Sequence, residues 1–117
     1  MSAERLTRLP DYFPSLLDAM QDGFVLRDAT GTILVVNDAF CTMVGLDRSA
    51  IVGTRPPHTW WPANSQQEMA GTSERYLNGD TSEDDMIYAR SDGEQFPVVV
   101  TNAPLRDPAD EIVGYIG

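Results

Sequence analysis

The chain has no lysine: its 8 basic residues are all arginine, against 18 acidic residues, for a formal net charge of −10. We draw no mechanism from the missing lysine. The shortage of positive charge argues against contacts with phosphate backbones and with anionic membrane surfaces, because both repel an acidic protein. We therefore expect this segment to bind neither nucleic acid nor membrane.

Cysteine and long apolar stretches are also scarce. The single cysteine, Cys41, has no partner within the chain for a disulfide. No run of eighteen apolar residues occurs, which argues against a transmembrane helix, and the N-terminal residues MSAERLTRLP lack the apolar core of a secretory signal. With 117 residues, 42% of them hydrophobic, the chain predicts a single cored domain in the cytoplasm.

The motifs of common enzymes are missing as well. The sequence shows no Ser-His-Asp order, no C-x-x-C, no glycine-rich phosphate loop and no H-E-x-x-H, so we expect no catalytic activity. A remote alternative is an isomerase-like enzyme that uses Tyr88 and a buried aspartate, but the apolar-facing positions that can be assigned hold no carboxylate. The acidic residues Asp80 and 83–85 lack the ligand spacing of a calcium loop and predict a solvated loop.

What is present is a regular succession of short elements with their own start and stop signals. Residues 1–12 form an N-terminal arm, and Pro14 lies near the start of the first helix. Gly31 suits a tight turn, Asn37-Asp38 an N-cap, and Gly45 a helix end. The first half therefore predicts a helix, strand, turn, strand and two short helices over 13–21, 24–28, 29–32, 33–36, 38–44 and 48–52.

The second half predicts a proline-rich loop, a helix and an antiparallel meander. The loop TRPPHTWWP is followed by the capping box of Ser65 and Glu68, which begins a helix that runs to about Leu77. Strands are predicted over 85–90, 95–105 and 112–117, with turns at 91–94 and 107–110. The fold class is thus α+β, with helices covering one face of a five-stranded antiparallel sheet. Either a packed core or a small-molecule cavity lies between the two layers.

Four segments in this order resemble a PAS domain of a bacterial sensor or signal-transduction protein: DGFVLRDATGTILVVNDAF, GLDRSAIVG, ARSDGEQFPVVVTNAPLRD and EIVGYIG. The resemblance covers residues 13–117 as one domain and implies the strand order 2-1-5-4-3, with the N-terminal helix packed elsewhere. It further implies a sensory or regulatory domain that binds a small molecule or a partner. The signal would pass through dimer geometry to an output domain of a larger protein, such as a kinase, a phosphatase or a cyclic-dinucleotide enzyme. The alternative is a ligand-free dimerisation or docking module.

A ligand pocket, if the domain has one, is expected to be apolar and to accept a small apolar or aromatic compound. Every candidate residue would serve equally well in a filled core. In Trp60-Trp61, one ring fills the core, and the other either lies on the surface or lines a ligand or partner site. The candidates are Phe24, Leu26, Val36, Phe40, Val44, Ile51, Trp60, Met69 and Leu77.

The N-terminal helix carries an apolar stripe of Phe13, Leu16, Leu17 and Met20. In a monomer this stripe must find cover on the outer face of the sheet, whereas in a homodimer the second copy supplies the cover. The stripe therefore predicts a homodimer.

Two residues raise the question of a cofactor. Cys41 lies on the helix before the proline-rich loop, away from the position of the reactive cysteine in flavin-binding relatives, so we interpret it as a buried packing residue rather than the site of a flavin adduct. His58 lies in a loop rather than on the long helix, so we expect a local hydrogen-bonding role rather than haem ligation. The identity of any cofactor stays open, and no metal site is predicted.

Overall fold

The computed structural model describes residues 9–65, 67–71 and 78–117, so most of the N-terminal arm and Leu77 lie outside the described residues. A 3₁₀ turn at Leu9–Tyr12 precedes the first helix, another occupies Ala63–Ser65, and residues 67–71 are helical. The remaining elements are α1 (Phe13–Ala19), β1 (Val25–Asp28), β2 (Ile33–Val36), α2 (Asp38–Val44), α3 (Arg48–Ile51), β3 (Ser82–Ala89), β4 (Gln95–Arg106) and β5 (Ile112–Ile116).

The five strands form one sheet in the order β2-β1-β5-β4-β3, and each neighbouring pair is antiparallel. This confirms the predicted fold class and strand order. The last strand lies between the first hairpin and the β3–β4 hairpin, so the two ends of the domain meet in the middle of the sheet. Gly114 permits this contact, because a Cβ atom at that position would lie 2.5 Å from the backbone oxygen of Arg27.

An aspartate side chain organises each of the three hairpin turns. The Asp28 carboxylate accepts hydrogen bonds from the backbone N–H groups of Thr30 and Thr32 and from the Thr30 hydroxyl, which lower its pKa. Asp92 and Asp107 accept from backbone N–H groups two residues ahead in the other two turns. These are local interactions that a polar side chain makes with its own turn, and they explain why the three turns were predictable.

The side chain of Asn37 ties α1, β1 and α2 together. It is fully buried and is the N-cap of α2, where its Oδ1 accepts from Phe40 N at 3.0 Å. The same oxygen accepts from Phe24 N, and Nδ2 donates to the carbonyls of Leu17 and Asp22, all at 2.9 Å. All four bonding positions of one amide group are therefore used by three different segments.

This geometry explains why α1 is shorter than predicted. The sequence suggested that the helix ends near Gln21, but Met20 is already extended, with φ −72° and ψ 141°. The carbonyls of Leu17 and Asp22 both turn toward Asn37, which draws the chain out of the helix after Ala19. A hydrogen bond to a distant residue thus overrides the local preference.

The third strand begins three residues earlier than predicted. It starts at Ser82 and pairs with β4 through to Ala89, so the acidic residues 83–85 lie in a strand and not in a loop. Glu83 and Asp85 point outward and are exposed. Charged residues suit this position, because β3 is an edge strand of the sheet and repulsive charge discourages edge-to-edge pairing.

We predict that Asn37→Ala lowers the free energy of unfolding by about 3 kcal/mol, because it removes a cap and leaves partly buried backbone groups without partners. Urea denaturation measures the loss. Asn37→Asp keeps the cap but sets a carboxylate oxygen against two carbonyls, so it should remain destabilised by at least about 1 kcal/mol. The exposed Asn64 provides the control, and Asn64→Ala should change stability by less than about 0.5 kcal/mol. Full stability of Asn37→Asp would contradict the donor role of the amide.

Candidate functional site

The space between the helices and the sheet is filled by side chains. Trp60 is 2% exposed and meets the Phe40 ring edge-on, with the ring centroids 5.2 Å apart. Trp61 is also buried, so the expectation that only one of the two rings lies inside is wrong. Six of the nine candidate pocket residues belong to this hydrophobic core: Val36, Phe40, Val44, Ile51, Trp60 and Met69.

His58 is part of this aromatic core. Its ring stacks on Trp60 at 4.3 Å between centroids and meets Trp61 edge-on at 5.1 Å. Among the described residues neither ring nitrogen has a hydrogen-bond partner, so the expected local hydrogen-bonding role is wrong. Burial, assisted by the positive charge of Arg27, lowers the pKa of His58 from 6.5 to about 3. The imidazole is therefore neutral in the folded protein at physiological pH.

We predict that His58 makes the domain less stable at mildly acidic pH. The folded-state pKa lies below 6.5, so the unfolded chain takes up a proton as the pH falls below 6.5 while the folded chain does not. The contribution of the neutral His58 side chain to stability is therefore fully present above pH 6.5 and is lost as the pH falls toward 3. From pH 7.5 to pH 5.5 the free energy of unfolding of the wild-type protein should fall by about 1 kcal/mol more than that of His58→Phe. Urea denaturation at the two pH values measures both changes. Equal losses of stability in the wild-type protein and in His58→Phe would show that His58 takes up its proton in the folded state.

Arg27 is a buried charged residue that the sequence analysis missed. Val25 and Arg27 take the inward positions of β1 and are both buried, whereas Leu26 between them is only half-buried. The candidate Leu26 therefore alternates away from the interior. The run Phe24-Val25-Leu26 is apolar throughout, so its pattern did not reveal which residues face inward. Of the residues described as buried, the polar ones are Arg27, Asn37, His58 and Asn102, and this set gives no support to an enzyme that needs a buried carboxylate.

Openings adjoin the filled core in the part of the chain that the structure describes, and two of them bear on the candidate pocket residues. The first, which we call the Met69 opening, has a volume of about 510 Å³. It lies between Ser65, Glu68 and Met69 on one side and the β3–β4 hairpin on the other. Met69, Met86 and Val98 contribute apolar side chains to it. Glu68 and Asp85 also line it. Of the candidate pocket residues, Met69 lines this opening and Leu77 lies outside the described residues.

The second opening, which we call the strand groove, also has a volume of about 510 Å³. It runs along β4 beside the end of β5 and contains two of the candidate pocket residues, Phe24 and Phe40. Its apolar wall is completed by Met20 at the end of α1, Met43 of α2 and Tyr88 of β3, and Gly117 lies within it. The groove is therefore bordered by the end of the first helix and by the end of the last strand.

Cys41 lies half-buried on α2, where it packs against the hydrophobic core. Burial raises the pKa of its thiol, and the nearby Arg48 charge only partly opposes the effect. The Cys41 thiol is therefore deprotonated to a smaller extent than the thiol of a fully exposed cysteine, and it is correspondingly less reactive.

The described residues contain no group of three or more His, Cys, Asp or Glu side chains placed to hold a metal ion. None of the helices in the described ranges is both long enough and apolar enough to cross a membrane.

Comparison with known proteins gives consistent results. The C4-dicarboxylate transport sensor protein DctS of Rhodobacter capsulatus is 29% identical over 119 residues, which span 100% of this chain and 18% of that protein. Phototropin-2 of Oryza sativa subsp. japonica is 26% identical over 119 residues, which span 99% of this chain and 13% of that protein. The chain thus corresponds to less than a fifth of the length of either relative.

The same fold is found in solved structures. An RNA-binding Light-Oxygen-Voltage receptor superposes with a TM-score of 0.82 at 21% identity, over 95% of this chain and 32% of that one. At this identity the likeness shows the fold alone. The family described as the PAS fold matches residues 11–117, which include all five strands. The chain belongs to the PAS family, and its relatives include a bacterial sensor protein.

Proposed function

We propose that this chain is a sensory or regulatory PAS domain of a bacterial signalling protein that relays a binding event through dimer geometry to an output domain. One observation carries the proposal: Met20 at the end of α1 and Gly117 at the end of β5 border the same groove. The first helix and the last strand are the two elements by which the domain would join its neighbours in a longer chain. A shift of one of them at this place would alter the surroundings of the other.

Support for a longer chain comes from the curated relatives. This chain spans 18% of one and 13% of the other, so both carry much additional sequence. We accordingly propose that an output domain lies in the same polypeptide, and that the protein is cytoplasmic with its single cysteine reduced.

The homodimer is proposed from the apolar surface of α1. Phe13 and Leu16 are 54% and 47% exposed, and Tyr12 and Met20 extend the same surface. The helix does not use the outer face of the sheet for cover, because it lies beside the start of α2, where the Asp18 carboxylate accepts a hydrogen bond from Asp38 N. Leu17, the remaining member of the predicted stripe, is half-buried. The exposed stripe would be buried if two copies paired through α1.

We predict that Leu16→Glu weakens self-association about 100-fold, because a symmetric dimer loses two buried leucines and gains two carboxylates. Sedimentation or light scattering across micromolar to millimolar protein measures the effect. Ser15→Glu is the matched control, because it adds the same charge to the same helix about 100° around the axis from Leu16 and should leave association largely unchanged. A wild-type protein that stays monomeric over this range would contradict the dimer.

The Met69 opening is the proposed seat of a small apolar or aromatic ligand. Its volume of about 510 Å³ falls within the range of small-molecule sites, and its apolar side chains include the two methionines Met69 and Met86. Methionine side chains adapt to ligands of different shape. A ligand here would touch both the helical residues Glu68 and Met69 and the β3–β4 hairpin, so it would bias the helix layer against the sheet.

We expect native mass spectrometry of gently purified protein to show a retained small molecule, and Met86→Trp to abolish it by filling the opening. Val113→Trp is the control, since Val113 is 49% exposed on β5 and lines neither opening. If Met86→Trp and Val113→Trp both retained the small molecule, binding in the Met69 opening would be contradicted.

A second candidate function, a ligand-free dimerisation or docking module, is favoured by the filled interior. Trp60, Phe40 and His58 occupy the space under α2 and α3 that a ligand cavity would otherwise use. If the domain works in this way, native mass spectrometry of the wild-type protein shows no bound small molecule, while Leu16→Glu still weakens self-association.

A further inference from the structure

The tip of the β3–β4 hairpin binds the C-terminal end of α2. The guanidinium of Arg90 donates from Nη1 to the carbonyl oxygen of Met43 at 2.6 Å, and the backbone N–H of Ser91 donates to that of Val44 at 3.0 Å. The contact is close, because a Cβ atom at Gly45 would lie 2.8 Å from the Ser91 hydroxyl oxygen. Carbonyls in the last turn of a helix find no partner within the helix. The hairpin therefore supplies partners that α2 cannot supply for itself.

Two further contacts within the hairpin hold Arg90 in this position. Its guanidinium carbon lies 4.2 Å from the centre of the Phe96 ring, and its Nε lies 3.7 Å from the Glu94 carboxylate. An arginine that stacks on an aromatic ring and also faces a carboxylate has few alternative conformations. The guanidinium that binds α2 therefore moves with the hairpin.

The N-terminal end of α2 is attached to α1 in a similar way. The backbone N–H of Asp38 donates to the Asp18 carboxylate at 3.0 Å, and the Asn37 amide donates to the Leu17 carbonyl. Arg48 of α3 lies between the two carboxylates, 3.3 Å from that of Asp18 and 2.5 Å from that of Asp38. Every residue of α1 is at least partly exposed, so the attachment of this helix depends largely on these polar contacts.

α2 is too short to bend between these two attachments. It has 7 residues, which makes it about 10 Å long. Phe40 and Val44 on its inner side are buried, and the Phe40 ring packs edge-on against Trp60. A helix that is packed in this way shifts as a unit, by a small tilt or translation. A displacement of one end of α2 therefore reaches the other end.

We propose that α2 transmits a displacement of the β3–β4 hairpin to α1, with Arg90 and Asp18 as the positioning residues at its two ends. This inference rests on the proposed function, in which a ligand in the Met69 opening contacts the hairpin and α1 forms the dimer. Residues 85–87 of β3 and 97–99 of β4 line that opening. A ligand there would act on the same hairpin whose tip binds α2, and the position of α2 would regulate the dimer.

The coupling acts in both directions. Thermodynamic linkage requires that loosening either end of α2 also loosens the contacts at the other end. Hydrogen exchange detects this coupling without a ligand and without a dimer. The backbone amides of Asp38 and Ser91 are suitable reporters, because each donates a hydrogen bond across one of the two junctions.

The first test replaces Arg90 and measures exchange at the far end of α2. Arg90→Leu keeps an apolar side chain but removes the donor to Met43, and we expect the amide of Asp38 to exchange at least about threefold faster, as measured by NMR. Arg90→Lys keeps a charged donor and should restore most of the protection. Arg106→Leu is the matched control, because Arg106 binds the Asp110 carbonyl in the β4–β5 turn and its loss should leave Asp38 unchanged.

The second test starts at the opposite end of α2. Asp18→Ala removes the acceptor for the Asp38 N–H, and the amide of Ser91 should then exchange at least about threefold faster. Asp47→Ala is the control for the loss of one negative charge, since the Asp47 side chain makes no capping hydrogen bond to α3. This control should leave the amide of Ser91 unchanged.

Unchanged exchange at Asp38 in Arg90→Leu, or at Ser91 in Asp18→Ala, would overturn the proposal. Equal acceleration at Ile33, a fully buried residue whose amide binds the Thr54 carbonyl, would also overturn it, because it would show a general loss of stability. If Arg90→Leu does not fold, the effect of Asp18→Ala decides. Light scattering on the wild-type protein reports the dimer separately. A monomer that shows both effects supports transmission through α2 and contradicts only the proposed dimer.

Discussion

The buried amide of Asn37 is the interaction on which the relative positions of α1, β1 and α2 depend. Its oxygen binds the backbone of Phe24 and Phe40, and its nitrogen binds the carbonyls of Leu17 and Asp22. No other side chain type of this size offers two donors and two acceptors in one plane. The end of α1 and the wall of the strand groove therefore keep their places together, because the same side chain holds both.

Side chains fill the core of the domain, and its exposed apolar surface lies outside that core. Trp60, Phe40 and His58 pack together beneath the helices, and burial of the histidine in this group suppresses its protonation. The apolar surface that remains available lies at the borders: on α1, at the Met69 opening and along the groove beside β4. The proposed contacts with a ligand and with a second copy lie at these borders.

Much of the fold followed from local signals. Asp28, Asp92 and Asp107 each bind the backbone of their own turn, and Asn37 caps α2 as predicted, so these features depend on residues a few positions apart. The predicted boundaries were wrong where contacts with distant residues determine where an element begins or ends. α1 ends early because its carbonyls turn to Asn37, and β3 starts early because residues 82–84 find partners on β4. Neither partner can be recognised from the neighbouring sequence.

The sequence by itself determined the succession of strands and helices, the turn and cap residues and, through the PAS resemblance, the order of the sheet. Only the tertiary structure decided which side of β1 faces inward, that both Trp60 and Trp61 are buried with His58, and that β3 begins at Ser82. The physical reason is the range of the forces involved. Turns and caps are hydrogen bonds between near neighbours, whereas burial and strand pairing depend on residues that are far apart in the chain and meet only when it folds.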